Sequence, residues 1–158
     1  MKSNEIFERL IAEFPEDIIS LNEDENSESF IYVNPRNIVE IMLFLRDEND
    51  LFFDYLSCLS GVDSKENLTV VYNLYSIQLK HRITIKADIP KENPSIATVE
   101  KVWLTADWHE REAWDLIGIK FEGHHNLIRI LNPYDWEGHP LQKDYKTPEY
   151  YHGMRVPV

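Results

Sequence analysis

The sequence predicts a two-layer α+β domain, with helices packed on one face of a mostly antiparallel or mixed sheet, and an extended C-terminal arm. Three observations carry that reading. Two early segments repeat apolar residues at helical spacing, residues 51–89 read as three successive strands, and regular patterning stops after Leu131. A chain of 158 residues suits one domain. Folding of that size buries about 68–70% of the unfolded chain's surface.

In order along the chain, NEIFERLIAEF (residues 4–14) places Ile6, Phe7, Leu10, Ile11 and Phe14 at helical spacing, and Pro15 stops the helix. IISL and SFIYV then flank the acidic NEDENSE, which reads as a hairpin loop. Asn34-Pro35 starts a helix, a side-chain cap followed by proline in the first helical position. Ile38, Ile41, Met42 and Leu45 give that helix a core face, widened by Leu43 and Phe44. A strand over 51–62 runs into the turn VDSKEN, and LTVVYNLYS returns as the next strand. HRITIKADI alternates, with Ile83, Ile85, Ala87 and Ile89 set against Arg82, Thr84, Lys86 and Asp88, so one face meets the core and one meets water. Pro90 and Pro94 end it.

Composition excludes several functions. Asp and Glu number 28 against 16 Lys and Arg, a net charge of -12. Such a surface repels phosphate backbones and anionic lipid headgroups, so neither nucleic acid nor a bare membrane surface is an expected partner. The charge is uneven: residues 1–66 hold 16 acids and 5 bases, and residues 67–158 hold 12 and 11. The single Cys58 is too few thiolates for a disulfide, an iron–sulfur cluster or a Cys-rich zinc site, and it reads as packing. No apolar run approaches the roughly 20 residues of a membrane span. MKSNEIFERL lacks the layout of a signal peptide, so a cytosolic chain is the expectation.

All four Trp, four of five Gly and five of six His lie beyond residue 102. Thr105 is placed to cap a helix running to Ile117, and Gly118 to close it in the left-handed conformation. On that helix Ala106, Ala113, Trp114 and Ile117 share an apolar face with Glu110 in its middle. A carboxylate there sits at the rim or forms a structural salt bridge, with Arg129 the best candidate. Asp107, Arg111 and Asp115, four apart, form a ladder expected on the exposed side. Beyond Leu131 come four prolines together with Tyr134, Trp136, Tyr145, Tyr150 and Tyr151. A structureless stretch this aromatic is expected to lie on another protein. The expected division is 1–131, an α+β domain ending in this helix and the segment after it, and 132–158, an arm that packs on a partner.

EREAWDLIGIKFEGHHNLIRIL followed by DWEGHPLQKDY resembles the signature of the 30 kDa subunit family of respiratory complex I, the proton-pumping NADH:quinone oxidoreductase. The distinctive match covers residues 110–145, and EYYHGMRVP is also similar. His125, Ile128 and Gln142 depart from the family, which usually has Pro, Arg, and Arg or Lys there. Arg129 and Lys143 are then the bases left for the family's contacts. The resemblance implies a peripheral-arm subunit with no cofactor of its own. FMN and iron–sulfur clusters belong to partner subunits, and docking is on the large quinone-site (49 kDa-type) subunit. It also implies a peripheral place on the cytoplasmic side of the cell inner membrane, reached only through the complex. On that reading Glu110, Arg111, Glu112, Asp115, Gly118, His124 and Arg129 are structural signature residues. Tyr134, Asp135, Trp136, His139, Pro140, Lys143, Asp144 and Tyr145 form the partner interface. No catalytic, cofactor-binding or metal-ligating residue is expected.

Two other readings compete. Related subunits occur in membrane-bound hydrogenases, so the resemblance does not by itself name the electron donor. His109, His124, His125, His139 and His152 with nearby carboxylates suggest a metal hydrolase. Against it, adjacent His124 and His125 diverge in most backbones and His139 lies in a Gly-His-Pro turn. His124 is instead expected to stabilise a turn through both ring nitrogens.

Overall fold

The computed structural model describes residues 1–23 and 28–156. Part of the acidic hairpin loop (24–27) and the last two residues lie outside the described residues. Helix α1 (Ser3–Glu13) buries Ile6 and Leu10 completely, with Phe7 and Phe14 packed at the edge of the core and Ile11 exposed. Strands β1 (Ile18–Asn22) and β2 (Phe30–Val33) form the expected antiparallel hairpin. The Asn34 side chain accepts the Arg36 N–H over a single 3-10 turn, Pro35–Asn37, which opens helix α2 (Ile38–Asp47). That helix buries Ile38, Ile41, Met42 and Leu45, the four positions its periodicity selects.

The next strand begins later than predicted. Residues 51–54 are irregular, because the amides of Phe52 and Phe53 bond to Glu48 and Leu45 carbonyls at the end of α2 rather than to another strand. Phe52 has a positive φ of 38°, and Leu51 and Phe53 are fully buried. Strands β3 (Tyr55–Asp63), β4 (Asn67–Ser76) and β5 (His81–Pro90) then form the meander. The five-stranded sheet runs β1-β2-β5-β4-β3. It is antiparallel except where β2 pairs with β5 in parallel, Ile31 opposite Ile85 and Val33 opposite Ala87. That pair arises because the chain leaves β2 through α2 and returns through β3 and β4, closing the sheet at its middle.

One face of this sheet is buried. Leu68, Val70, Tyr72 and Leu74 of β4 point into the core beside Ile83, Ile85, Ala87 and Ile89 of β5, while the intervening Val71, Asn73 and Tyr75 are only half-buried. Thr84, expected in water, is buried and its hydroxyl donates to the Asn73 side chain at 2.9 Å. Short strands β6 (Ser95–Ala97) and β7 (Lys120–Glu122) pair in parallel and bracket helix α3 (Ala106–Ile117), which packs on β3. The approach is close. A Cβ built at Gly61 of β3 would lie 3.3 Å from Ile117 Cγ1 in the last turn of α3 and 2.9 Å from Ile119 Cδ1 just beyond it. Strands β8 (Tyr150–Tyr151) and β9 (Met154–Arg155) make a terminal two-stranded ribbon. Among the described residues no helix is long and apolar enough to cross a membrane.

Candidate interaction site around the third helix

Helix α3 opens without the predicted side-chain cap. Thr105 already has helical angles (φ -64°, ψ -25°), which turn its hydroxyl away from the first-turn amides, and its Oγ1 lies 3.5 Å from the Leu56 carbonyl. The closing residue behaves as predicted: Gly118 sits at φ 87° and its amide bonds to the Trp114 carbonyl. Gly118 is required twice, since a Cβ there would lie 2.6 Å from the His139 ring.

The last four carbonyls of a helix have no partner within it. In α3 each finds one. Trp114 accepts from the Gly118 amide at 2.9 Å, and Asp115 from Arg129 Nη1 and His139 Nδ1, both at 3.0 Å. Leu116 accepts from the Leu141 amide at 2.9 Å and Ile117 from the Gln142 side chain at 2.8 Å. Residues 139–142 therefore act as the C-terminal cap of α3. The first part of the predicted arm lies along its own domain, and His139 and Gln142 are spent inside the chain.

Asp115 organises the segment before that cap. Its carboxylate is fully buried. Oδ2 accepts the successive amides of Ile130, Leu131 and Asn132 at 3.0, 2.8 and 3.0 Å. Oδ1 accepts Arg129 Nη1 at 2.7 Å and the Asn132 side chain at 2.8 Å. Burial works to raise this carboxyl, but the Asn132, Leu131 and Arg129 hydrogen bonds outweigh it and hold it well below the usual carboxylate range. Arg129 continues outward, its Nη2 donating to the carbonyls of Trp136 (2.8 Å) and Gly138 (2.9 Å). Trp136 Nε1 donates to the Tyr145 hydroxyl at 2.9 Å, and the Lys143 amide donates to Asp63 at 2.8 Å.

Two expectations are corrected here. Arg129 pairs with Asp115 and not with Glu110. The ladder predicted on the exposed side is largely covered: Asp115 and Arg111 are buried and Asp107 is partly so. Residues 128–142 lie across that flank, so α3 is packed on two sides, and helical periodicity read only the side facing the sheet. Arg111 stacks over the Trp108 ring at 4.6 Å and donates to the Ile128 carbonyl. Glu112 is exposed, with no ion pair among the described residues. Of the predicted interface residues, Tyr134, Asp135, Lys143 and Asp144 are exposed, whereas Trp136, His139, Pro140 and Tyr145 are partly buried. Asp135 accepts from the Tyr151 hydroxyl and faces His152 Nε2, each at 2.7 Å, folding the β8–β9 ribbon back onto residues 135–136.

The other end of α3 is built differently. Glu110 is fully buried, with no Arg or Lys partner among the described residues; Oε1 accepts the Val99 amide and Oε2 the Thr98 hydroxyl. Burial pushes its carboxyl up to about 7, against the downward pull of those two bonds. His124 stabilises its turn through both nitrogens as expected, Nδ1 facing the Asn126 amide at 3.0 Å and Nε2 the Asp107 carbonyl at 3.2 Å. Thr98, Glu100, Asp63 and Gln142 all hold this site together. Gln142 stood out only as a departure within its motif, and the other three carried no sequence signal, because each acts on a partner distant in the chain.

Fold and site thus define a class: a compact α+β chain whose buried polar groups serve to fix a surface around one helix. Residues 31–151 match the family described as "Respiratory-chain NADH dehydrogenase, 30 Kd subunit", and the chain belongs to that family. An NADH-quinone oxidoreductase subunit from Chloroherpeton thalassium is 54% identical over 119 residues, 74% of this chain and 50% of that one. This chain thus spans half of that relative's length. The protein of the same name from Chlorobium phaeobacteroides is 45% identical over 147 residues, 91% of this chain and 89% of that one. The structure titled "Nqo5 of the trypsin-resistant fragment (1-134)" superposes with a TM-score of 0.68 at 25% identity, over 80% of this chain and all of that one. A chain of a membrane-bound sulfane sulfur reductase, an archaeal respiratory membrane complex, shares the fold with a TM-score of 0.75 at 21% identity, over 92% of this chain and 86% of that one.

Proposed function

We propose that this chain is a non-redox structural subunit in the peripheral arm of a proton-pumping NADH:quinone oxidoreductase. In this reading it docks on the large quinone-site (49 kDa-type) subunit and supports electron transfer carried by FMN and iron–sulfur clusters in other subunits. It reaches the cytoplasmic side of the inner membrane only through the complex. The observation that carries the reading is a set of large apolar side chains held in solvent by the rigid frame around α3. Trp108 and Ile128 both contact Arg111 and are exposed, as are Leu131, beside the Asp115 anchor, and Leu141, beside the helix cap. Tyr134 is 92% exposed. Side chains of this kind on a rigid frame are what a docked partner covers.

The test is co-purification from gently solubilised membranes. Trp108→Ala with Leu131→Asp should abolish recovery of the quinone-site subunit while the free chain keeps its thermal midpoint. Normal assembly of that variant would refute the docking surface, and a nickel-containing partner set would move the chain to the hydrogenase branch. Truncation before Asn132 is a poor test, since it removes the cap of α3 and a ligand of Asp115. Truncation after Tyr145 removes only the terminal ribbon and its connection.

A further inference from the structure

At the N-terminal end of α3, four side chains from three separate segments converge: Glu100, Asp107, His124 and His125. One ligating atom from each lies within 4.8 Å of all the others. His124 Nε2 is 3.2 Å from Asp107 Oδ1 and 3.6 Å from Glu100 Oε2. A tetrahedral zinc ion with N and O ligands at about 2.0–2.1 Å needs donor atoms roughly 3.3 Å apart, so these edges are already of the right length. His125 Nδ1 stands 2.7 Å from Glu100 Oε2, and the two imidazoles stack with centroids 5.3 Å apart at 11°. Neighbouring histidines diverge in most backbones; here the rings are parallel.

We propose that Glu100, Asp107, His124 and His125 form a structural site for a single zinc-class divalent cation. Two observations beyond proximity point to a ligand. Asp107 Oδ1 is buried with no hydrogen-bond partner among the described residues, although it faces the cluster. Around His124 the site is also short of positive charge. The His124 side chain is fully buried, with Glu100, Asp107 and Glu110 oxygens all within 3.9 Å of Nε2. Its Nδ1 accepts the Asn126 amide proton, which leaves the ring neutral with its one proton on Nε2, and that proton serves only one oxygen at a time. A divalent cation in the same space satisfies the unpartnered oxygen and neutralises two carboxylates.

Binding requires Nε2 to give up its proton. It moves to Nδ1, and the Asn126 amide, at an exposed position, turns to water. Two imidazoles among the donors select zinc, cobalt or nickel over magnesium and calcium. His125, 62% exposed, provides the entry, while Glu100 and His124 form the buried floor. The ion would join the segment after β6 and the turn after β7 to the first turn of α3, a structural staple independent of the docking reading.

The test uses the untagged full chain. Incubated with zinc and passed through gel filtration, it should retain one equivalent by elemental analysis, undiminished by excess magnesium. Cobalt(II) should give the visible bands of tetrahedral coordination. His125→Ala should weaken zinc binding at least about tenfold. Glu100→Gln should weaken it as well, and His109→Ala and His152→Ala should not. Failure to retain zinc, retention unaffected by His125→Ala, or loss of binding in the His109 or His152 variants would each overturn the site.

Discussion

The two ends of helix α3 solve the same problem in opposite ways. Each buries a carboxylate completely, Asp115 near the C-terminus and Glu110 near the N-terminus. Asp115 receives a guanidinium, three successive amides and a side-chain amide, and its acidity is enhanced. Glu110 receives one amide and one hydroxyl, among neighbours that are mostly acidic, and its acidity is weakened. The cost of burying a charge is thus decided by the number of donors supplied, and burial alone does not set it. The saturated end holds the exposed apolar side chains of Leu131 and Leu141 in place. The under-supplied end is where an additional cation has a reason to bind.

The sharpest way to break this comparison is to remove each carboxylate. Asp115→Ala leaves Arg129 and three amides without their acceptor and should destabilise the fold by about 3–5 kcal/mol, read from urea unfolding. Gly118→Ala comes next. The left-handed backbone costs about 1–2 kcal/mol for a residue with a Cβ, and the same Cβ collides with the His139 ring, so displacement of the 139–142 cap should show as faster amide exchange at Gly118 and Leu141. Glu110→Gln removes no cationic partner and should cost only about 1 kcal/mol. A loss from Glu110→Gln as large as that from Asp115→Ala would mean that donor supply does not distinguish the two ends.

The pH dependence separates them in sign. Asp115 is depressed in the fold, so its contribution is present above the unfolded carboxylate pKa of about 3.9 and fades as pH falls below it toward the folded value. The stability gap between wild type and Asp115→Asn should therefore narrow in acid. Glu110 is raised to about 7, so wild type loses stability as pH climbs from the unfolded value toward about 7. The gap between wild type and Glu110→Gln should narrow over that range, measured with a chelator present to keep the chain metal-free. Gaps that move in the same direction would refute the contrast.

Much of the fold was legible in local pattern. The buried positions of α1, α2 and β5 follow from periods of 3.6 and 2, because each element has one apolar side and the solvent marks the other. Gly118 was legible because a left-handed residue after a helix is a local chemical requirement. Where pattern failed, a second neighbour was at work. Leu51 and Phe53 looked like a strand but are buried against the end of α2. Asp107, Arg111 and Asp115 looked like a solvated ladder, but His124 covers the first and residues 128–142, which have no period of their own, cover the other two. The site was legible as a set of residues, through Asp115, Gly118 and Arg129, but not as a set of partners.

The sequence by itself determined the three helices and, to within a few residues, the five strands of the main sheet, together with the acidic first half and the concentration of aromatic and polar residues around α3, since these depend on composition and on neighbours a few residues away. Only the tertiary structure decided that Arg129 belongs to Asp115, that β2 lies parallel to β5, that residues 139–142 cap their own helix, and that Glu100 meets His124 and His125. Each of these pairs groups more than ten residues apart. Donor and acceptor chemistry is the same for every candidate, so the choice falls to where the packed backbone leaves each group.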